Sequence, residues 1–445
     1  MASQQFDPPS GTRDFLAGDL RVREHVFTAI REVFQRYGFE PLQTPAFERL
    51  ETLTGRYGDE GDKLIFKILR RGEHEASGDA DLALRYDMTV PLARVVAAYG
   101  SQLPMPYKRY VMGPVWRADR PGRGRFREFA QCDLDVVGST SPLADAEVVC
   151  AIADALGAVG IGDYTILLNS RQALTGLLRA YRVPEQVGGQ VLITLDKLDK
   201  LKPDEVAGEL VEGRGLDQAT AQALVGDLTA PDAVDRLRVA LADDEEGRAG
   251  LAEVDRVIEA AAPVAGAARL QFTPRLVRGL GYYTGIIFEV VADGMPGSIA
   301  GGGRYDHLIE SLGGPDIPAV GGSLGVERII GLLGEGAVTA PRLDVAITIM
   351  SDDTAEAMDF AARLRHAGRS AEVYLGASGK LGRQLRWAAD RRARFALIYG
   401  DQERAAGLVT VRDMDSGDQH QVSPAELATF ISARLAAPAA EPDAT

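Results

Sequence analysis

Positive charge is densest at residues 108–127, KRYVMGPVWRADRPGRGRFR. Here Lys108, Arg109, Arg117, Arg120, Arg123, Arg125 and Arg127 give seven cations against one anion, Asp119. Guanidinium groups suit phosphate because their planar donors grip two oxygens at once. Strand side chains alternate faces. Read as extended, 123–136 puts Arg123, Arg125, Arg127, Phe129, Gln131, Asp133 and Asp135 on one face. Gly124, Phe126, Glu128, Ala130, Cys132, Leu134 and Val136 occupy the other. The second face is mostly apolar and can pack. The first begins cationic, passes an aromatic ring and ends in an amide and carboxylates. Such a surface suits a polyanion at one end, a flat ring in the middle and an amino-bearing molecule at the other. For the arginines alone, a solvated hairpin tip is the plainer reading.

Four more segments carry side chains of this kind. LRYDMTVPLARVVA (84–97) places Asp87 and Thr89 just before a helix expected to start at Pro91, where capping is an equal explanation. SIAGGGRYDHLI (298–309) has three glycines before Arg304 and Tyr305, which fits a bulge or a close approach of backbone to a ligand. GGSLGVERIIGLL (321–333) sets Arg328 in the first turn of a helix. A cation is unfavourable to the helix dipole there, and an anionic or aromatic ligand supplies a reason for it. RLVRGLGYYTGIIFE (275–289) embeds Arg278 among apolar residues, close to Tyr282 and Tyr283. No phosphate loop is present. GASGKL (376–381) lacks the first glycine at the right spacing and the Ser/Thr after lysine, and no GxGxxG follows a strand. A nucleotide would therefore be held by arginines on a sheet.

The elements around these segments follow from periodicity. LRVREHVFTAIREVFQRYGF (20–39) spaces Leu20, Val26, Ile30, Val33, Phe34 and Tyr37 as one helical face, with Gly38 ending it. PLQTPAFERLETL is an extended segment punctuated by Pro41 and Pro45. YKRYVMGPVWRAD and GRFREFAQCDLDVVG form two strands joined by a DRPG turn. ADAEVVCAIADALGAVGI is a helix and YTILLNS a strand. Residues 171–267 are helix-rich and charged, and strand character returns at 270, so a helical module interrupts a β pattern. After 342, strands and helices alternate as DVAITIM, MDFAARLRHAG, AEVYL, GRQLRWAADRR and FALIYG, a βαβαβ rhythm that implies a separate α/β domain.

Composition sets outer bounds. At 445 residues the chain exceeds one core, so two or three domains are expected. No apolar run is long enough to span a membrane, and the polar start, MASQQFDPPSGTRDF, lacks the apolar segment of a signal peptide. Cys132 and Cys150 are too few for a disulfide framework or a thiolate metal site, and a reducing cytoplasm is the expected setting. The five histidines lack ligand spacing. A net charge of −15 argues against indiscriminate nucleic-acid binding but not against a local basic surface.

Taken together, these segments resemble the histidyl-tRNA synthetases, which are class II aminoacyl-tRNA synthetases, over nearly the whole chain. GFEPLQTPAFE resembles the first class motif, whose proline, here Pro45, lies at a dimer interface. VWRAD with RFREF resembles the second motif and GGSLGVERIIG the third. RLVRGLGYYTG resembles the segment peculiar to the histidine enzymes, and GGGRYD and LRYDMTVP extend the match. The implied fold class is α+β. An antiparallel-sheet catalytic domain occupies 1–170 and 268–335, with a helical insertion at 171–267. A C-terminal α/β anticodon-binding domain follows at 342–435, then a flexible tail at 436–445.

The resemblance also implies roles. Arg117 meets the α-phosphate of ATP, Asp119 the adenine side and Arg125 the γ-phosphate, while Phe129 and Arg328 sandwich the adenine. Asp87, Met88 and Thr89 bind the α-ammonium of L-histidine together with Gln131. Asp135, Tyr282 and Tyr283 surround the imidazole. Arg278 stabilises charge where the carboxylate attacks the α-phosphate, a place other class II enzymes give to a metal, and Mg²⁺ accompanies the triphosphate. Arg117, Arg278 and Gln131 form the catalytic set. Lys380, Arg383, Arg386, Arg391, Arg392 and Arg394 form a cationic run for the anticodon stem of histidine tRNA. A homodimer is expected. The chain departs from many members at Gly281, where they carry aspartate, at Ala130, and at Asp87, which is shorter than their glutamate. The alternative is a synthetase-like regulatory subunit of ATP phosphoribosyltransferase. Such subunits usually lack the C-terminal domain and degrade the segments around the arginine.

Overall fold

The computed structural model describes residues 6–72, 77–122, 124–277, 281–334, 338, 340–351, 354–377 and 380–436, with backbone only at 59 and 60. The chain divides into two compact units, 1–338 and 339–445.

The helix expected at 20–39 runs over Ala17–Arg36. Val26, Ile30, Val33 and Phe34 are fully buried, one stripe at helical spacing. Gly38 follows with φ +77°, the left-handed conformation that a glycine adopts cheaply after a helix. Leu20 departs from the expected face and is exposed, because the helix begins only one turn earlier and its first turn overhangs the core.

The sheet that this helix covers has eight strands. Their order is Glu40–Pro41, Tyr107–Trp116, Glu128–Val137, Ala319–Gly325, Ala300–Arg304, Ile286–Val291, Thr165–Ser170 and Leu270–Phe272. The inner pairings are antiparallel, and only the two outermost strands join in parallel. Along Glu128–Val137 the alternation works as the sequence implies. Ala130, Cys132, Leu134 and Val136 share one apolar core with helices Ala17–Arg36, Pro142–Ala158 and Glu245–Ala265. Burying each large apolar side chain contributes about 1.5–3 kcal/mol, so this layer fixes the strand's register and hence its other face.

The two strands are not joined by a DRPG turn. The ladder closes at Trp116 opposite Glu128, and residues 117–127 form a longer connection outside it. The Arg117 amide donates to the Arg127 carbonyl at 2.9 Å, and the Arg127 amide donates to the Gly11 carbonyl at 2.8 Å. The extended reading of 123–136 thus holds only from residue 128 onward.

Gly302 and Gly303 of Ala300–Arg304 are crowded by protein neighbours. A Cβ on Gly303 would sit 2.9 Å from the Tyr283 ring, and one on Gly321, in the adjacent strand, 1.9 Å from the Asp135 carboxylate. Between Thr165–Ser170 and Leu270–Phe272 the chain forms helices, the last of which, Glu245–Ala265, returns to pack on the sheet.

The second unit has a five-stranded sheet in the order Ala371–Val373, Val345–Ile347, Phe395–Ile398, Val409–Asp413, Gln419–Val422. Its first three strands are parallel, as the βαβαβ rhythm requires. The last two form an antiparallel hairpin that the sequence reading missed, because Arg412 and Asp413 break the apolar run.

Candidate active site

The face of Glu128–Val137 opposite the helices floors a cavity of about 1090 Å³ in the first unit. Phe129, Gln131 and Asp133 come from this strand, two residues apart, so they step along the floor in order.

Three separated segments bring guanidinium groups to one end. Arg117, Arg125 and Arg328 all line the cavity. Arg117 lies over Tyr86 at 4.4 Å and Phe129 at 5.2 Å, and donates to the Tyr86 carbonyl at 3.1 Å. Among the described residues it has no carboxylate partner. Arg125 is exposed and pairs with Asp119 at 2.7 Å. Arg328 donates to the carbonyls of Ser298 and, at 3.4 Å, Gly124. Burial lowers its pKa, and Arg125 and Arg117 lower it further, so the three cations sense one another. The unfavourable position of Arg328 in a first turn is offset by these carbonyls. The same turn holds Glu327, which accepts from Arg23 at 2.7 Å and from the Ala130 amide at 2.9 Å.

The other end is acidic and phenolic. Helix Thr89–Tyr99 starts two residues earlier than expected, because Asp87 accepts from the Val90 amide at 3.1 Å. The capping reading of Asp87 is therefore correct, and Asp87 also faces the cavity. Its carboxylate accepts from Tyr57 at 3.1 Å and Tyr282 at 3.3 Å. Burial raises its pKa. Thr89, Tyr282 and Tyr283 line the same end, with the two tyrosine rings 5.0 Å apart.

Two expected contact residues lie off the cavity surface. The Met88 side chain is buried with Val111, Val115 and Phe129, and its carbonyl accepts from Arg109 at 2.9 Å. An apolar side chain that follows a capping acid turns inward. Asp135 lies beneath the floor, 2.8 Å from the fully buried Arg109, and accepts from the Tyr305 hydroxyl. Burial raises the Asp135 pKa. Arg278 falls outside the described residues.

Tyr305, Asp133 and Tyr57 also line the cavity, although the resemblance gives none of them a role. Tyr305 follows the quoted GGGR run, and its ring lies 6.0 Å from that of Tyr282. Asp133 was already on the correct face, two residues past Gln131. Nothing in the sequence marks Tyr57. The helical region 171–267 also reaches the cavity, through residues 196–201.

In the second unit the basic run divides. Arg391 pairs with Glu372 at 2.7 Å, and Arg394 pairs with Asp413 at 2.5 Å and Asp415 at 2.7 Å. The Arg392 carbonyl accepts from Arg342 at 3.2 Å. The side chains of Lys380, Arg383, Arg386 and Arg392 are exposed and, among the described residues, have no carboxylate partner.

Chemically, the first unit's cavity joins a cationic, aromatic end to an acceptor-rich end. A polyphosphate fits one and an ammonium group the other. Residues 11–329 match the family model described as histidyl-tRNA synthetase, and 344–434 match an anticodon binding domain. The chain is 39% identical to a histidine–tRNA ligase of Gloeobacter violaceus, across 96% of this chain and 98% of that protein. It is 40% identical to one of Paracoccus denitrificans, across 92% and 90%. The crystal structure of histidyl-tRNA synthetase from Nostoc sp. PCC 7120 aligns with a TM-score of 0.76 at 31% identity, covering 97% of this chain and all of that one.

Proposed function

The chain belongs to the histidyl-tRNA synthetase family, and from that premise we propose how its cavity divides the labour of the reaction. The activity is that of an ATP-dependent histidine–tRNA ligase. L-histidine is joined to ATP as histidyl-adenylate with release of pyrophosphate, then moved to the 3′ end of its tRNA.

The observation that carries the assignment of residues is the meeting of Arg117, Arg125 and Arg328 in one cavity with Gln131, Asp87 and the tyrosines. ATP lies bent along the cationic end. Arg117 holds the α-phosphate and Arg125 the γ-phosphate, leaving its contact with Asp119 to do so. Phe129 and Arg328 flank the adenine. Mg²⁺ bound with the triphosphate would neutralise part of its charge at this end. The α-ammonium of histidine lies against Gln131, Asp87 and Thr89. Its ring lies among Tyr282, Tyr283 and Tyr305, and Asp135 acts from below by fixing the Tyr305 hydroxyl. This pocket rejects amino acids that lack ring N–H groups, because they leave buried polar groups unpaired. Arg278 stands by the attacking carboxylate.

The second unit holds the anticodon stem, with Lys380, Arg383, Arg386 and Arg392 as the open cations. The chain acts as a homodimer in the cytoplasm. Pro45 is exposed, and the neighbouring Phe47 ring is half exposed, which supports a partner surface there. The regulatory-subunit alternative is weaker, since the similar proteins named above are ligases and the chain carries the anticodon binding domain. Histidine-dependent ATP–pyrophosphate exchange tests the first step, and charging of histidine tRNA tests the second.

A further inference from the structure

Two buried acceptor atoms on the cavity floor have no hydrogen-bond partner among the described residues: Gln131 Oε1 and Asp133 Oδ1. Asp133 is only 3% exposed, yet it lines the cavity. The Gln131 amide is oriented by donating to the Ser323 hydroxyl at 2.8 Å, and Ser323 lies directly opposite Asp133 on the neighbouring strand. The serine thus orients Gln131 while one oxygen of each floor side chain stays open.

Leaving a buried carboxylate oxygen unpaired is costly. Arg109 and Arg85 act on Asp133 only through space: Arg109 reaches Asp135 and the Met88 carbonyl through Nη2, and its Nε and Nη1 make no hydrogen bond among the described residues. Arg85 donates to the carbonyls of Thr44 and Pro114. A protein keeps such a group where a ligand completes it.

We propose that Asp133 is the charge-bearing acceptor for the α-ammonium of the amino-acid substrate and so sets the requirement for a free amino group. An ammonium has three N–H donors, and three acceptors stand at this end: Gln131, Asp133 and Asp87. Geometry favours the ammonium over the ring as the partner. The amino group and the reacting carboxylate share one carbon, and the carboxylate must reach the α-phosphate beside Arg117. Gln131 and Asp133 are the next two steps along the floor from Phe129, over which Arg117 lies. The tyrosines form the wall that suits the ring.

This inference rests on the histidine-activating reading, and its test separates the two. Binding of two probes is compared between the wild type and Asp133→Asn. L-histidinol keeps the ammonium and ring. Imidazole-4-propionate keeps the ring and carboxylate but has no ammonium. The expected result is a roughly 10- to 100-fold weaker histidinol affinity with imidazolepropionate unchanged within about twofold, the size of a lost charge-assisted hydrogen bond. The variant should melt no lower than the wild type at pH 8. Equal weakening of both probes, or of neither, overturns the proposal. So does a variant that melts well below the wild type, since Asp133 would then be a structural carboxylate. A wild type without histidine-dependent exchange overturns the reading beneath it as well.

Discussion

The guanidinium of Arg109 lies 2.8 Å from the carboxylate of Asp135, and neither is more than 2% exposed. This ion pair sits under the cavity floor, and its outer neighbour is the Tyr305 hydroxyl. It accounts for the place of Asp135 off the cavity surface, behind Tyr305. Removing one partner strands a buried charge. Arg109→Met is expected to cost about 3–5 kcal/mol in urea unfolding of the full chain, while Arg109→Met with Asp135→Asn costs less than the two changes summed. Additive losses would show that the pair is not coupled.

A second pair joins Arg125 to Asp119 at 2.7 Å on a more exposed part of the cavity. An exposed pair of this kind contributes little to stability and can open for a phosphate. Arg125→Ala is expected to raise the ATP KM roughly tenfold, about 1.4 kcal/mol, with the histidine KM and the melting temperature unchanged. An altered histidine KM with normal ATP KM would place Arg125 elsewhere.

Much of this arrangement was legible in the sequence. Period-2 alternation along 128–137 separated the core face from the reactive face because the helices pin one of them. The cationic cluster at 108–127 was legible from residue types alone. What escaped was set by tertiary packing. The depth of Asp135 depends on Gly321, whose missing side chain lets the carboxylate close against the neighbouring strand. Tyr57 reaches the site from a bend between two short helices, where no periodicity marks it, and Asp133 differs from Asp135 only by what covers it. In the second unit the basic run looked uniform until its carboxylate partners were placed.

That division of the basic run gives a third prediction. Arg383→Ala with Arg386→Ala is expected to raise the KM for histidine tRNA and to weaken its salt dependence, while pyrophosphate exchange stays normal. Arg394→Ala is expected to lower the second unit's stability instead, since it removes the guanidinium partner of the buried Asp413 carboxylate, while Asp415 keeps Arg342. A large tRNA effect from Arg394→Ala with unchanged melting would reverse these roles.

Asp133 supplies a pH-dependent prediction. Its pKa is pushed up to about 7, chiefly by burial and further by the nearby carboxylates of Asp135 and Asp87, against the pull of Arg109 and the Ser323 hydroxyl. Arg85 also faces it. The ordinary value of an aspartate in an unfolded chain is about 3.9. Between these two values the folded chain holds a proton that the unfolded chain has released, so the group's contribution is fully present at low pH and is lost as pH rises toward 7. Asp133→Asn stays neutral throughout. The stability of the variant relative to the wild type is therefore expected to rise from pH 4 to pH 7 and then level off. Thermal melts across that range check it, and a difference that is flat or falls with pH would contradict the assignment.

Arg278 carries the largest catalytic expectation. Removing one preorganised stabiliser of developing negative charge lowers a rate by about 10²–10³. Arg278→Ala should reduce the exchange rate by that factor, and Arg278→Lys should recover little, because a point charge lacks the planar donor fork. Near-normal exchange in Arg278→Ala would remove the residue from the reaction.

The central claim is that one cavity joins a triphosphate held by Arg117, Arg125 and Arg328 to an amino acid whose ammonium and ring meet the acidic, phenolic end. ATP–pyrophosphate exchange measured against each of the twenty amino acids tests it most directly. Exchange that depends on L-histidine alone, and that falls sharply in Arg117→Ala, is the predicted result. Exchange with another amino acid, with none, or undiminished in Arg117→Ala would contradict it.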